Sequence, residues 1–124
     1  MAISLMEAAL FAIVLSNSAQ PFDCVATASG NYACTNGLTA MPLGPVELRY
    51  SNGWTVKKRN RDTLEFSTGI KSWIDITGGA QFENGIGLYR EDEGRKFRVS
   101  NGLYCRQAEK DLIKCTLEKE PWRN

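Results

Sequence analysis

Residues 48–56 read Leu48-Arg49-Tyr50-Ser51-Asn52-Gly53-Trp54-Thr55-Val56, two arms that alternate apolar and polar about a small turn-forming triplet. Alternation with a period of two marks strands with one buried face, and a glycine-ended polar triplet between them marks a hairpin. Parity fixes the loop length, because directly opposed residues of an antiparallel pair lie on the same face. A two-residue Asn52-Gly53 loop would set Tyr50 opposite Thr55 and scatter the apolar side chains over both faces. A three-residue loop sets Tyr50 opposite Trp54 and Leu48 opposite Val56, and gathers all four on one face. The stretch therefore predicts a type I turn closed by a glycine in the left-handed region, with a bulge.

The unit recurs at Thr35-Asn36-Gly37, Ser67-Thr68-Gly69, Glu83-Asn84-Gly85 and Ser100-Asn101-Gly102, so that the five glycines are spaced 16, 16, 16 and 17 residues apart. Each copy carries apolar residues five and three before its glycine and one and three after it. These are Tyr32, Cys34, Leu38 and Ala40 in the first copy, Ala80, Phe82, Ile86 and Leu88 in the fourth, and Phe97, Val99, Leu103 and Cys105 in the fifth. The third copy has Leu64, Phe66 and Ile70, but Ser72 in the last place. A fixed period marks a repeat architecture whose units bury their faces against one another. The expectation is an all-β antiparallel meander of about five 16-residue hairpins. It would be up-and-down barrel-like, a sandwich or an open curled sheet, with an N-terminal apolar leader or helix. Longer charged turns are expected at Met41–Glu47, Lys57–Thr63, Trp73–Gly79 and Tyr89–Lys96. The uniform triplet end is expected to be inert and the irregular end to carry any activity. Tyr50-Ser51-Asn52-Gly53-Trp54 resembles the turn of MORN-type hairpin repeats, over one or two copies and with a shorter period. The resemblance implies a hairpin array and carries no function.

At 124 residues the chain has room for one domain, divided into a leader or helix at 1–19, a repeat domain at 20–117 and a tail at 118–124. Residues 1–19 combine an apolar run, Ala8 to Leu15, with small residues at Ser16, Ser18 and Ala19, as a secretory signal peptide does, although Glu7 precedes the run and no cation does. A retained helix covering the apolar face is the alternative, and it would be the protein's one means of touching a membrane. Four cysteines, none with the short spacing of zinc ligands, fit two disulfides and a secreted or periplasmic location. Cys24, Cys34, Cys105 and Cys115 all fall in the core phase of the repeat. The expected pairs are Cys24 with Cys34 and Cys105 with Cys115, each across an irregular turn, the alternative being Cys34 with Cys105 and Cys24 with Cys115.

The chain has no histidine and a net charge of +1. The first removes the commonest general base and metal ligand, and the second removes a global field for nucleic acid. No enzyme, cofactor, metal or nucleic-acid partner is expected. The candidate ligand residues are the basic cluster Lys57, Lys58, Arg59 and Arg61 together with Trp73 and Tyr89, which are out of the core phase, as is Tyr104. Cations beside aromatic rings suit a polyanion or polysaccharide. The acidic cluster Glu91, Asp92 and Glu93 lacks the spacing of a calcium loop and reads as a charged hairpin tip. The sequence thus describes a non-enzymatic exported binding module for an anionic or carbohydrate ligand at the irregular end. The alternative is a structural subunit assembling through sheet edges, or through the apolar face, with itself or a protein partner.

Overall fold

The structure, a computed structural model, describes residues 3–60, 63–74, 79–92 and 95–117, the side chains of Asn60 and Ile74 excepted. Among these residues one helix, α1 (Leu5–Ser16), precedes twelve strands: β1 (Phe22–Ala26), β2 (Tyr32–Cys34), β3 (Thr39–Pro42), β4 (Glu47–Tyr50), β5 (Thr55–Asn60), β6 (Thr63–Phe66), β7 (Ser72–Ile74), β8 (Ala80–Phe82), β9 (Gly87–Glu91), β10 (Lys96–Val99), β11 (Leu103–Glu109) and β12 (Leu112–Leu117). The strands form a single antiparallel meander in the order β6-β5-β4-β3-β2-β1-β12-β11-β10-β9-β8-β7. First and last strands pair in the middle of this order, Phe22 opposite Cys115 and Cys24 opposite Ile113, so the sheet curls into a nearly closed barrel whose one break lies between β6 and β7.

The register is the one that parity demands. Leu48 faces Val56, Tyr32 faces Ala40, Ala80 faces Leu88 and Phe97 faces Cys105. All five triplet glycines have φ between +86° and +103°, and each donates its N–H to the carbonyl three residues earlier, as a three-residue bulged turn requires. The third triplet departs from the expectation in one respect. It turns the chain, Gly69 N bonding Phe66 O at 2.9 Å, but its arms β6 and β7 do not form a ladder. Its Ser72 occupies the inward position where the other copies place Ala40, Val56, Leu88 and Cys105, and Ser72 Oγ is buried without a hydrogen-bond partner. The inner side of the break is sealed by aromatic packing, Phe66 on Phe82 at 5.7 Å and Phe11 on Phe66 at 5.8 Å, both edge to face.

The first residue of each triplet has a role that the repeat pattern alone does not reveal. Thr35, Ser51, Ser67, Glu83 and Ser100 accept, through their side chains, the N–H of Asp23, Thr39, Thr55, Lys71 and Gly87. Each acceptor thereby fastens its turn to the start of the strand one repeat earlier.

The barrel is filled by α1. Its sequence is apolar on every side, and a helix of that kind is stable only when it is buried all round. Met6 and every residue from Ala8 to Leu15 are buried, and with Ile3 they supply ten of the twenty-six buried apolar side chains among the described residues. Ser4 and Glu7 cap the start reciprocally, Glu7 N to Ser4 Oγ at 3.1 Å and Ser4 N to Glu7 Oε1 at 2.9 Å. Asn17, at φ +51°, ends the helix with its N–H on Ile13 O. Of the three ways to cover the apolar face, the structure takes the barrel, with the N-terminal segment inside it.

Both disulfides are the local ones, Cys24–Cys34 and Cys105–Cys115, with Cα atoms 4.0 Å apart in each. They lie on β1–β2 and β11–β12, the two hairpins flanking the junction of the chain ends. Closure of the ring is left to the β1–β12 hydrogen bonds. Two disulfides suit an oxidising compartment. No helix among the described residues is long and apolar enough to cross a membrane.

Candidate functional site

The irregular turns are shorter than expected, because the strands run on into them. Lys57, Lys58 and Arg59 belong to β5, Trp73 to β7 and Tyr89 to β9. Strand alternation therefore distributes the basic cluster over both faces. Val56 points inward, fully buried, so Lys57 points out, in register with Glu47 and Glu65. Lys58 points in at the barrel rim, where its Nζ lies 2.7 Å from Glu7 Oε2 at the start of α1 and its side chain is 17% exposed. Arg59 points out again and reaches Glu65 at 3.3 Å. Arg61 lies outside the described residues, as does Glu93 of the acidic cluster.

The break between β6 and β7 gathers two of the sequence candidates. It opens outward as a cleft of about 490 Å³, within the range of small-ligand sites, with Arg59 and Glu65 on one bank and Lys71 and Trp73 on the other. Trp73 faces out because its neighbour in register is Gln81 while Ala80 points inward, and it is 58% exposed, the most exposed large apolar side chain among the described residues. Two cations against one carboxylate leave the cleft positive, and Arg59 and Glu65 are each more than half exposed. The floor is apolar, with Leu64, Phe66 and Ile70.

Tyr89 lies elsewhere on the outer face, three strands from the break. Its hydroxyl comes within 2.8 Å, and Gln81 Oε1 within 2.9 Å, of the point where a side chain on Gly87 would begin, so the phenol lies down over bare backbone. Gln81 pairs with both Trp73 and Gly87, which sets Trp73, Gln81 and Tyr89 in one outward row. Two acids of the acidic tip are ion-paired, Glu91 with Arg98 at 2.8 Å and Asp92 with Arg95 at 3.6 Å. The described residues hold no group of carboxylates or cysteines arranged for a metal.

The triplet end is engaged with the helix. Asn84 Nδ2 donates to Val14 O at 2.9 Å in the last turn of α1, and Asn101 Nδ2 donates to Ser18 O at 3.2 Å, while their Oδ1 atoms close the local turns on Ile86 N and Leu103 N. Asn36 and Asn52 make only the local bond. Comparison with known proteins returns no match: no family model, no curated relative and no solved structure is similar to this chain.

Proposed function

We propose that the protein is an exported, non-enzymatic binding module whose ligand lies in the cleft between β6 and β7, and that the ligand is an anionic saccharide. One observation carries the reading: the single break in an otherwise continuous wall is lined by Arg59 and Lys71 and overhung by Trp73. An exposed indole offers a flat face to sugar C–H bonds, and two cations across a narrow gap suit a carboxylated or sulfated ring. Export is supported by the two disulfides and by the signal-like pattern of residues 1–19. Retention on immobilised heparin at low salt tests the site. Trp73→Ala and Arg59→Ala with Lys71→Ala should each lower the salt needed for elution, whereas Lys57→Ala should not. Equal elution of all variants refutes the cleft.

A second reading has an observation of its own. β6 and β7 are free strand edges, and free edges pair with other chains unless they are protected. Assembly through them predicts oligomers at high concentration, and a monodisperse monomer in light scattering refutes it.

A further inference from the structure

The inner wall of the barrel is mostly apolar, yet, besides Asn84 at the triplet end, three polar groups on it reach the N-terminal segment. Lys58 Nζ meets the Glu7 carboxylate at the rim, Tyr32 OH donates to Ile3 O at 2.9 Å, and Tyr50 OH, on a side chain only 2% exposed, donates to Ala8 O at 2.6 Å. The wall thus recognises an apolar rod that carries one anionic group at its mouth and carbonyl oxygens at the rim and below it. The rod is attached by an exposed tether. Ser16, Asn17, Gln20 and Pro21 are solvent-accessible at the triplet end, and the small residues of the signal-like pattern, Ser16, Ser18 and Ala19, fall in this stretch.

We propose that residues 1–19 are removed on export, and that the vacated lumen then holds an anionic two-chain phospholipid. This rests on the leader reading of the N-terminus and not on the cleft. The dimensions agree. A twelve-residue helix occupies a cylinder roughly 18 Å long and about 10 Å across, and the acyl chains of one bilayer leaflet span roughly 15 Å. One acyl chain would be too thin and would leave voids that close-packed interiors do not sustain. The chemistry agrees as well. A lipid phosphate replaces the Glu7 carboxylate on Lys58, and ester carbonyls replace the Ile3 and Ala8 carbonyls on Tyr32 and Tyr50. The fifteen buried apolar side chains of the strands, with Ile86 beside them, face the acyl chains. The hydrogen bonds that hold the ring are strand to strand and do not pass through α1.

The test is native mass spectrometry of the protein recovered from the exporting cell, before and after incubation with vesicles of phosphatidylglycerol, vesicles of phosphatidylcholine, or palmitate. The expected result is a chain beginning at Gln20, with both disulfides intact and one phosphatidylglycerol bound. Lys58→Gln should lower occupancy at least tenfold with an unchanged circular dichroism spectrum. Tyr32→Phe, a milder change, should lower it severalfold. A chain that keeps residues 3–16 overturns the proposal. So does a chain beginning at Gln20 that stays empty, that takes palmitate but no phosphatidylglycerol, or that binds phosphatidylcholine equally well. Lipid uptake unaffected by Trp73→Ala would leave the cleft reading to stand or fall on its heparin test.

Discussion

Replacing Gly53 by alanine isolates the energetic cost of the turn. At φ +97° an L-residue is strained whatever the space around it, and a Cβ built there meets nothing within 4 Å. The cost is therefore backbone strain alone, about 1–2 kcal/mol for forcing a non-glycine residue into a left-handed conformation. Ser51→Ala in the same turn removes one exposed hydrogen bond, Thr39 N to Ser51 Oγ at 3.1 Å. Water takes over that bond, and the expected loss is about 0.5–1 kcal/mol. At roughly 4 °C per kcal/mol for a chain of this size, Gly53→Ala should lower Tm by about 4–8 °C and Ser51→Ala by about 2–4 °C. Gly69→Ala supplies the control, since Gly69 has φ +86° and equal clearance but no ladder beside it. If the strain is local, Gly69→Ala costs as much as Gly53→Ala. Melting of the three oxidised variants by circular dichroism decides the matter. The reasoning fails if Ser51→Ala is the worse of the two turn variants, or if Gly69→Ala is harmless while Gly53→Ala is not.

In the full chain, Asn84→Ala should destabilise by about 1–2 kcal/mol and Asn52→Ala by about half that, because only Asn84 also holds a helix carbonyl; urea melts of both variants check the ratio. Replacing Cys105 and Cys115 together by serine should cost about 3 kcal/mol, read as a lower urea midpoint with little change in spectrum. Burial holds the Tyr50 hydroxyl above the ordinary tyrosine range, so its stabilising contribution is full below about pH 10 and is lost as pH rises beyond, by up to about 1.4 kcal/mol per unit. Tyr50→Phe should flatten the stability profile between pH 10 and 11 by about that slope, and an unchanged slope would show that the phenol ionises freely.

The repeat was legible because its signal is geometric. Parity around Gly53 specified the loop length, the facing pairs and the phase of all four cysteines, and each of these depends only on the two-residue period of a strand. The ends of the strands were less legible. Lys57, Lys58 and Arg59 read as a turn because charge marks solvent exposure, yet a strand on a curled sheet exposes every second residue and can carry charge to its end. Lys58 shows the limit: its inward direction follows from phase, but its partner, Glu7, lies 51 positions away and on another element. The role of the first triplet residue was hidden for the same reason, since the N–H it accepts belongs to the neighbouring repeat. The break at β6–β7 did leave a trace, in Ser72 at an inward position where the other copies are apolar.

The position of that break also says where the barrel can yield. The β1–β12 junction lies six strands from the break in either direction, and a disulfide braces the hairpin on each of its sides. Covalent bracing is thus concentrated on one side of the ring, and the ladder is interrupted on the other. The opposite side is held by the turn at Gly69 and by the contacts of Phe66 with Phe11 and Phe82, without a ladder. Local opening takes the route with the fewest cooperative bonds, and here that route is the β6–β7 cleft. One of its aromatic contacts comes from α1, through Phe11, so loss of the helix would remove one of the two contacts that hold Phe66 at the break. A ligand bridging Arg59 and Lys71 would tie the two banks together from outside. Occupancy of the cleft and closure of the lumen would then be coupled through the same two strands, and hydrogen exchange at Leu64 and Trp73 should slow when either is filled.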